Sequence, residues 1–362
     1  MSRMEPVLLH VVDALAGPDA LATLTLLLQR NTQPQAVLVL GDGHLWAALP
    51  EPVRLACIGR VRTLGWADPA GWLALLRRID AVGPLTGLHI WGLRALAAVA
   101  LRRWSVPIVL NPGGPYTTRQ RSLLRLLVQR CGVTVVAQSQ TEQQILQSAG
   151  IAEVQLIPLP CPLDQRPDRA AVWAALGVPT TAGPVIWLAG RGRGAGHELG
   201  LWAAGIFQQL ELQTCVLVRA DSPGLARFAS ALAHANTIHP VPVTTGDFDL
   251  AAAADMVLFT PTQPVGVMGV LAAIALTVPV VVTPQPVATE FIAQGQTGWV
   301  AKSLQPRQIA ARLEACWRMP AERQLWAGNA RAQLFAQHKP SAAVAEYHKR
   351  YQRLPSDTPV NL

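Results

Sequence analysis

The sequence predicts an α/β fold made of two Rossmann-like domains, each a parallel sheet covered by helices on both faces. Three observations carry this. Short β-branched apolar runs alternate with helical runs almost from end to end. The alternation breaks once, at the polar, proline-rich PCPLDQRPDR (residues 160–169), and then restarts. The chain has 362 residues, 51% hydrophobic and 14% charged, enough for two ordinary domains with large cores. Ligands in such sheets bind beyond the carboxyl ends of the strands, so a site is expected in a cleft between two facing domains.

The first series opens with PVLLHVVDAL as a strand, ALATLTLLLQR as a helix and QAVLVLG as a strand. WLALLRRID reads as helix, LTGLHIWG as strand and LRALAAVALRRW as helix. VPIVLNPGG is a strand running into a Gly/Pro turn. SLLRLLVQRCG, VTVVAQS, TEQQILQSAG and VQLIPLP then alternate helix and strand. After the linker, GPVIWLAG, TCVLVRA and DMVLFTP read as strands. HELGLWAAGIFQQL and PGLARFASALAHA are the helices between them. VATEFIAQG is helical, GWVAKS is a last strand, and residues 305–338 are helical with a break at Pro320. A final helix spans 341–353, and the tail PSDTPVNL is expected to be loose.

Val265 to Val282 holds no charge over eighteen residues, close to the length of a membrane span. Its character changes midway. Gly266–Leu276 is Ala/Leu/Ile-rich and reads as helix, whereas Val278–Thr283 is β-branched and follows a proline turn. A buried helix–turn–strand fits better than a span, and no Lys/Arg anchors flank it.

The net charge of +8 suits an anionic partner such as a nucleotide diphosphate or an anionic lipid surface. No Lys/Arg block is interleaved with aromatics, which argues against nucleic acid. Most of the 11 Trp lie in apolar-periodic stretches and read as core. Five scattered cysteines without CxxC spacing argue against a disulfide framework or zinc site and fit a reducing compartment. The start MSRMEPVLLHVVDAL lacks the pattern of a signal peptide. No His/Cys/Asp cluster has metal spacing, so no metal and no bound cofactor is expected.

The segments VIWLAGRGRGAGHELGLWAA, DLAAAADMVLFTP, TVPVVVTPQPVATEFIAQGQTGWVAKS and ERQLWAGNARAQLFAQHKPSAAVAEYHKRY stand in a distinctive order. So, more loosely, do GLHIWGLRAL, SVPIVLNPGG, VVAQSQTEQQILQSAGI and VQLIPLPCPLD. Together they make the chain resemble the family-4 retaining glycosyltransferases of the GT-B fold. The resemblance implies an acceptor-side domain of residues 1–163 plus a returning helix 341–354, and a donor-side domain of 164–340. It implies sugar transfer from a nucleotide-diphosphate sugar to a glycan or lipid-linked acceptor with retention, and no metal.

The family's donor site carries over by position. Its diphosphate-binding Gly-Arg pair falls on Gly190 and Arg191, and an arginine fork suits two phosphate oxygens. Its Lys-Gly pair falls on Ala195-Gly196, leaving Arg193 as the nearest replacement cation. Its two glutamates fall on Pro264 and Ala272. The loop is one residue short, yet Thr260–Thr283 holds no Asp or Glu in any register. What remains is a helix N-terminus near Gly266, whose amides suit a phosphate. Missing both acids and the lysine implies an activity that is atypical or lost. The alternative is a catalytically inactive pseudo-glycosyltransferase that binds a glycan or supports an active glycosyltransferase partner, for instance in polysaccharide assembly.

A third reading is a nicotinamide-dependent oxidoreductase. GRGRGAG fits a dinucleotide fingerprint, with Arg219 and Asp221 ending the next strand. On the acceptor side, His89 in LHIWG reads as a general base or acceptor contact, or equally as a core histidine. Asn111, Gly113 and Gly114 of NPGGPY read as an acceptor loop or a plain turn. Arg119, Arg121, Arg125 and Arg130 around SLLRLLVQR read as a solvated helix face or as a contact with anionic lipid. Glu290 matches a frequent family acid or lies on a helix surface. His197 reads as the opening of a helix. A cytoplasmic protein, peripheral at the inner membrane face, is the corresponding location.

Overall fold

The computed structural model describes residues 5–13, 17–41, 49–62, 68–114, 117–162, 166–179, 183–209, 214–231 and 238–352. Pro115, Tyr116 and the tail after residue 352 lie outside them, as does the side chain of Arg193. The chain divides into two compact units. Residues 1–160 and 340–362 form the first, and Cys161–Lys339 the second.

The first unit runs β1 (Val7–Asp13), α1 (Pro18–Arg30), β2 (Gln35–Leu40), α2 (Glu51–Leu55), β3 (Cys57–Val61), α3 (Pro69–Asp80) and β4 (Leu85–Trp91). It continues with α4 (Leu93–Val99), β5 (Ile108–Asn111), α5 (Thr118–Cys131), β6 (Thr134–Ala137), α6 (Gln140–Ser148) and β7 (Val154–Leu156). The sheet is parallel, in the order β3-β2-β1-β4-β5-β6-β7. Successive strand residues point to opposite faces, and both faces are covered. Leu9, Val11, Leu38, Ile90 and Leu110 pack under one layer of helices. Leu8, Val12, Val37, Trp91 and Val109 pack under the other.

The second unit runs α7 (Arg169–Leu176), β8 (Val185–Leu188), α8 (His197–Gln208), β9 (Cys215–Arg219), α9 (Leu225–Ala231), β10 (Ile238–Val241), α10 (Asp247–Ala253) and β11 (Met256–Phe259). Then come α11 (Met268–Ala275), β12 (Val280–Val282), α12 (Pro286–Thr289), β13 (Trp299–Val300), α13 (Pro306–Arg318) and α14 (Pro320–Gln337). Its parallel sheet has the order β10-β9-β8-β11-β12-β13. The last helix, α15 (Pro340–Tyr351), returns to the first unit.

Local chemistry explains the helix ends. Thr117 and Gln120 form a reciprocal capping box on α5, and Gly132 ends that helix in the left-handed region. Ser139 accepts from Glu142 N at the start of α6. Helix α4 is shorter than expected because the Trp104 indole donates to Val99 O at 2.9 Å, and the chain turns there. The expected helix VATEFIAQG is helical only over α12. Beyond it the Thr297 hydroxyl takes the Ala293 amide, which draws the chain into a tight loop.

The charge-free stretch is α11, a turn and β12. Every residue of both elements is buried. Among the described residues no helix is long and apolar enough to cross a membrane. Thr277, in the turn, has φ +62° and is the one described residue other than glycine with positive φ. A β-branched side chain is strained there.

Helix α15 docks through a buried polar network. His89 sits at zero exposure, its Nε2 2.7 Å from Asn111 Oδ1 and its Nδ1 2.7 Å from the Tyr351 hydroxyl. The amide oxygen only accepts, so Nε2 carries the proton and Nδ1 accepts from Tyr351. Asn111 Nδ2 lies 2.9 Å from the Tyr347 hydroxyl. Beside this pair, the Trp91 indole donates to His10 Nδ1 and His10 Nε2 donates to Gln35 Oε1 at 2.8 Å. Burial lowers both histidines, His10 to about 4, so both are neutral near neutral pH.

Two predictions follow from these observations. Above pH 6.5 neither the folded nor the unfolded state protonates His10. Below it the unfolded chain binds the proton first, so stability is lost as pH falls towards about 4. Urea unfolding at about pH 7 and about pH 4.5 should show a drop on the order of 3 kcal/mol from His10 alone. His10→Gln should shrink that drop. Separately, Thr277→Gly should raise the unfolding free energy by about 1 kcal/mol at neutral pH by relieving the left-handed strain.

Candidate functional site

In the second unit the chain leaves β8 for β9 on one side and returns to β11 on the other. Loops leaving the carboxyl ends of two such strands diverge, and a crevice opens between them. The loops are residues 189–196 after β8 and 260–267 after β11. The first is threaded with glycine at 190, 192, 194 and 196.

Two of these glycines leave little room for a side chain. A Cβ on Gly196 would lie 1.8 Å from Thr260 O, and one on Gly194 would lie 2.7 Å from Val265 Cγ1. The two loops therefore touch backbone to backbone. Thr262 N donates to Gly194 O at 2.9 Å, and Thr260 Oγ1 donates to Gly196 O at 2.8 Å. The crevice is flanked by one bonded pair of loops rather than two independent ones.

Among the described side chains, two arginines stand at this end of the sheet. Arg219, at the end of β9, is 1% exposed and donates to Val243 O, Thr245 O and, at 2.5 Å, Asp247 Oδ1. Burial lowers its pKa and Asp247 opposes that. Arg191 follows Gly190 in the glycine loop. It donates to Val243 O at 3.1 Å, lies 3.9 Å from Asp247 Oδ1, and its side chain is 34% exposed. One carboxylate thus serves two guanidiniums and is held closely by Arg219. Arg191 keeps donor capacity, including a buried Nε with no partner.

His197, the first residue of α8, fixes the base of the loop. Its Nε2 lies 3.3 Å from Ala189 O and its Nδ1 2.7 Å from Ser222 Oγ. The carbonyl can only accept, so Nε2 donates and Nδ1 accepts from the serine hydroxyl. Burial lowers its pKa, which keeps the ring neutral. Sequence reasoning gave His197 no role beyond opening the helix and did not find Ser222 or Asp247. Spacing holds no trace of these contacts, because β9 and α10 bring the partners from distant positions.

The remaining candidates fall as follows. Gly266 is part-buried, and α11 begins two residues later than expected, with Val267 as N-cap. Pro264 is part-buried and Ala272 fully buried. Arg193 lies in a single 3-10 turn, Arg193–Ala195. Glu290 caps the end of α12. In the first unit, Gly113 and Gly114 follow β5 with open space around them. His89 and Asn111 require a correction. Both are sealed in the network that holds α15, with no surface to offer an acceptor. The core reading of His89 is the one its partners support. Arg219 does not offer itself to a ribose 2′-phosphate, since its terminal nitrogens are occupied by Asp247 and two carbonyls. Among the described residues, no three His, Cys, Asp or Glu side chains are grouped to hold a metal ion.

Ala195 is fully buried, and a Cβ on Gly190 would lie 2.9 Å from its own. Restoring a cation by Ala195→Lys should therefore destabilise the fold by roughly 2–5 kcal/mol, through overpacking and charge burial. It should not improve binding of UDP. Chemical denaturation and titration calorimetry of the variant check both points.

No protein-family model and no curated protein matches the chain. Solved structures do. HepE of Anabaena, crystallised with UDP and glucose, superposes with a TM-score of 0.79 at 17% identity, covering 95% of this chain and 98% of its own. Sucrose-phosphate synthase of Thermosynechococcus elongatus gives 0.76 at 14% identity, covering 96% and 98%. A glycosyltransferase of Rickettsia africae gives 0.75 at 15% identity, covering 98% and 100%. The two parallel sheets with alternating helices have the fold of the GT-B glycosyltransferases.

Proposed function

We propose that this protein binds a nucleotide-diphosphate sugar at the carboxyl ends of β8 and β11 and transfers the sugar, with retention, to a glycan or lipid-linked acceptor. The observation that carries the reading is Arg191. It is a partly exposed guanidinium with unused donors, set on a glycine loop beside the crevice where the strand order reverses. Arg191 would hold the diphosphate and stabilise the charge that develops on it as the glycosidic bond breaks. His197 and Ser222 would hold the loop that carries it. HepE was crystallised with UDP and with UDP-glucose, which makes uridine the first base to test.

Transfer here is atypical, because Thr260–Thr283 supplies no carboxylate for the ribose or the sugar. That same absence favours a second reading: a catalytically inactive relative that binds a glycan or supports an active glycosyltransferase. The oxidoreductase reading ranks below both, since Arg219 is occupied. A lipid-linked acceptor would suit α5. Its outer face carries Arg119, Arg125 and Arg130 with Leu126 at 60% exposure, a composition that rests on anionic lipid at a membrane face.

Thermal unfolding against UDP, GDP, ADP, their sugar conjugates, NAD and NADP tests the site. A ligand at a hundred times its dissociation constant should stabilise the chain by about 2.7 kcal/mol. We expect a shift with one nucleotide sugar that Arg191→Ala abolishes. Turnover of that sugar would then separate transfer from mere binding. A shift with NAD or NADP alone would overturn the proposal, and no shift at all would leave only the inactive reading.

A further inference from the structure

A second cavity, of about 480 Å³, lies in the second unit at the opposite end of the sheet from the glycine loop. Asp255, just before β11, and Pro279, just before β12, line it, so it opens at the amino ends of the strands. Its polar wall consists of Arg169, Asp255, Thr277, Arg323 and Gln324, with Trp317 as its aromatic side. We propose that this cavity binds a small phosphate-bearing molecule, independently of the donor site.

The charges do not balance. Asp255 is the one acid in the wall, and both of its oxygens are used. Oδ1 accepts from Arg169 Nη2 at 2.8 Å and Oδ2 from Val185 N at 2.9 Å. Arg169 is also held flat against Trp173, with its guanidinium carbon 4.7 Å from the ring centre. That leaves Arg323. Its guanidinium lies over the Trp317 ring at 5.1 Å on the cavity wall, and among the described residues no acid pairs with it. Arg323 also stands near the start of α14, the end where the helix dipole disfavours a cation, so it does not serve the helix.

Thr277 supplies the second, independent observation. It follows the C-cap of α11 in the left-handed conformation, where the turn closes through Thr277 N to Ile274 O and Val278 N to Ala273 O. Glycine would close that turn without strain. The threonine is exposed and is one of the residues that line the cavity. Strain held at a cavity wall points to a ligand contact. A phosphate fits this wall better than a carboxylate. It offers several acceptor oxygens to the Arg323 guanidinium, a hydroxyl and the Gln324 amide, where a carboxylate has only two. The volume leaves room for a body of sugar size beside it.

The test compares the full chain with its Arg323→Gln, Thr277→Gly and Arg191→Ala variants, titrated with inorganic phosphate by calorimetry and thermal unfolding. Acetate at equal ionic strength is the control. Wild type and Arg191→Ala should both respond to millimolar phosphate. Arg323→Gln should bind it at least about tenfold more weakly and keep the wild-type response to UDP. Thr277→Gly should melt higher without phosphate yet bind it more weakly, a combination that relief of strain alone does not produce. The proposal fails if wild type does not respond, or if Arg323→Gln responds fully. It also fails if the response disappears in Arg191→Ala, which would place the phosphate at the donor site, or if acetate acts equally.

Discussion

Everything at the candidate donor site depends on one close passage of backbone over backbone. Gly196 crosses Thr260 O with no room for a side-chain carbon, and Gly194 packs closely against the Val265 side chain. Those contacts bring the loops after β8 and β11 into hydrogen-bonding distance across the point where the strand order reverses. Arg191 inherits its place from this arrangement. The loop is anchored at its base by His197 on Ala189 O and at its far end by Gly194 and Gly196 on the β11 loop. Only the segment bearing Arg191 is left between the two anchors. A rigid scaffold with a partly exposed cation suits an anionic ligand, because little ordering remains to be done on binding.

The first unit resolves the same topology differently. Its strand order reverses between β1 and β4. There Asp13 receives Arg94 through Nε and Nη2, both side chains are buried, and a Cβ on Gly92 would meet Asp13 Cβ at 2.8 Å. An ion pair thus stands at the switch point of the first unit, where the second unit sets two bonded loops. Next to it the histidine–asparagine–tyrosine network ties down α15. Buried polar groups of this kind contribute little net stability but fix one arrangement, because any other leaves donors unpaired. A helix arriving from the far end of the sequence is where such specificity is needed.

Most of the architecture was legible because parallel strands buried on both faces leave continuous apolar runs, as in VLLHVVD and MVLF. Two of the four edge strands were not. CIGRV and IHPV carry polar, glycine or proline positions that an edge tolerates and a periodic pattern hides. Helix α7 was hidden for another reason. It follows directly on a proline-rich run, so its Asp168 cap read as linker. At the site, the glycine loop and Arg191 could be read from order and spacing. His89 could not be placed. A histidine at the carboxyl end of a strand reads the same whether it faces a ligand or a tyrosine on a helix more than two hundred positions away. The Asp247 carboxylate shared by Arg191 and Arg219 was hidden likewise, since a loop, a strand end and a helix start converge to make it.

The charge-free stretch carries two residue choices that pull stability in opposite directions. At Ala272, where the resemblance places a glutamate, a small apolar residue in a fully buried helix removes the cost of burying a carboxylate. At Thr277, a few positions on, a strained side chain stands where glycine would be easier. A chain reduced to an inert scaffold would gain from the first change and would equally gain from relieving the second. Strain that serves only packing should show packing partners, yet Thr277 is exposed and lines a cavity. The apolar choice at Ala272 and the strain at Thr277 therefore do not follow from one demand for stability. Whatever chemistry the carboxyl end of the sheet performs, the amino end is shaped by a separate demand, and a bound anion is what its unpaired arginine asks for.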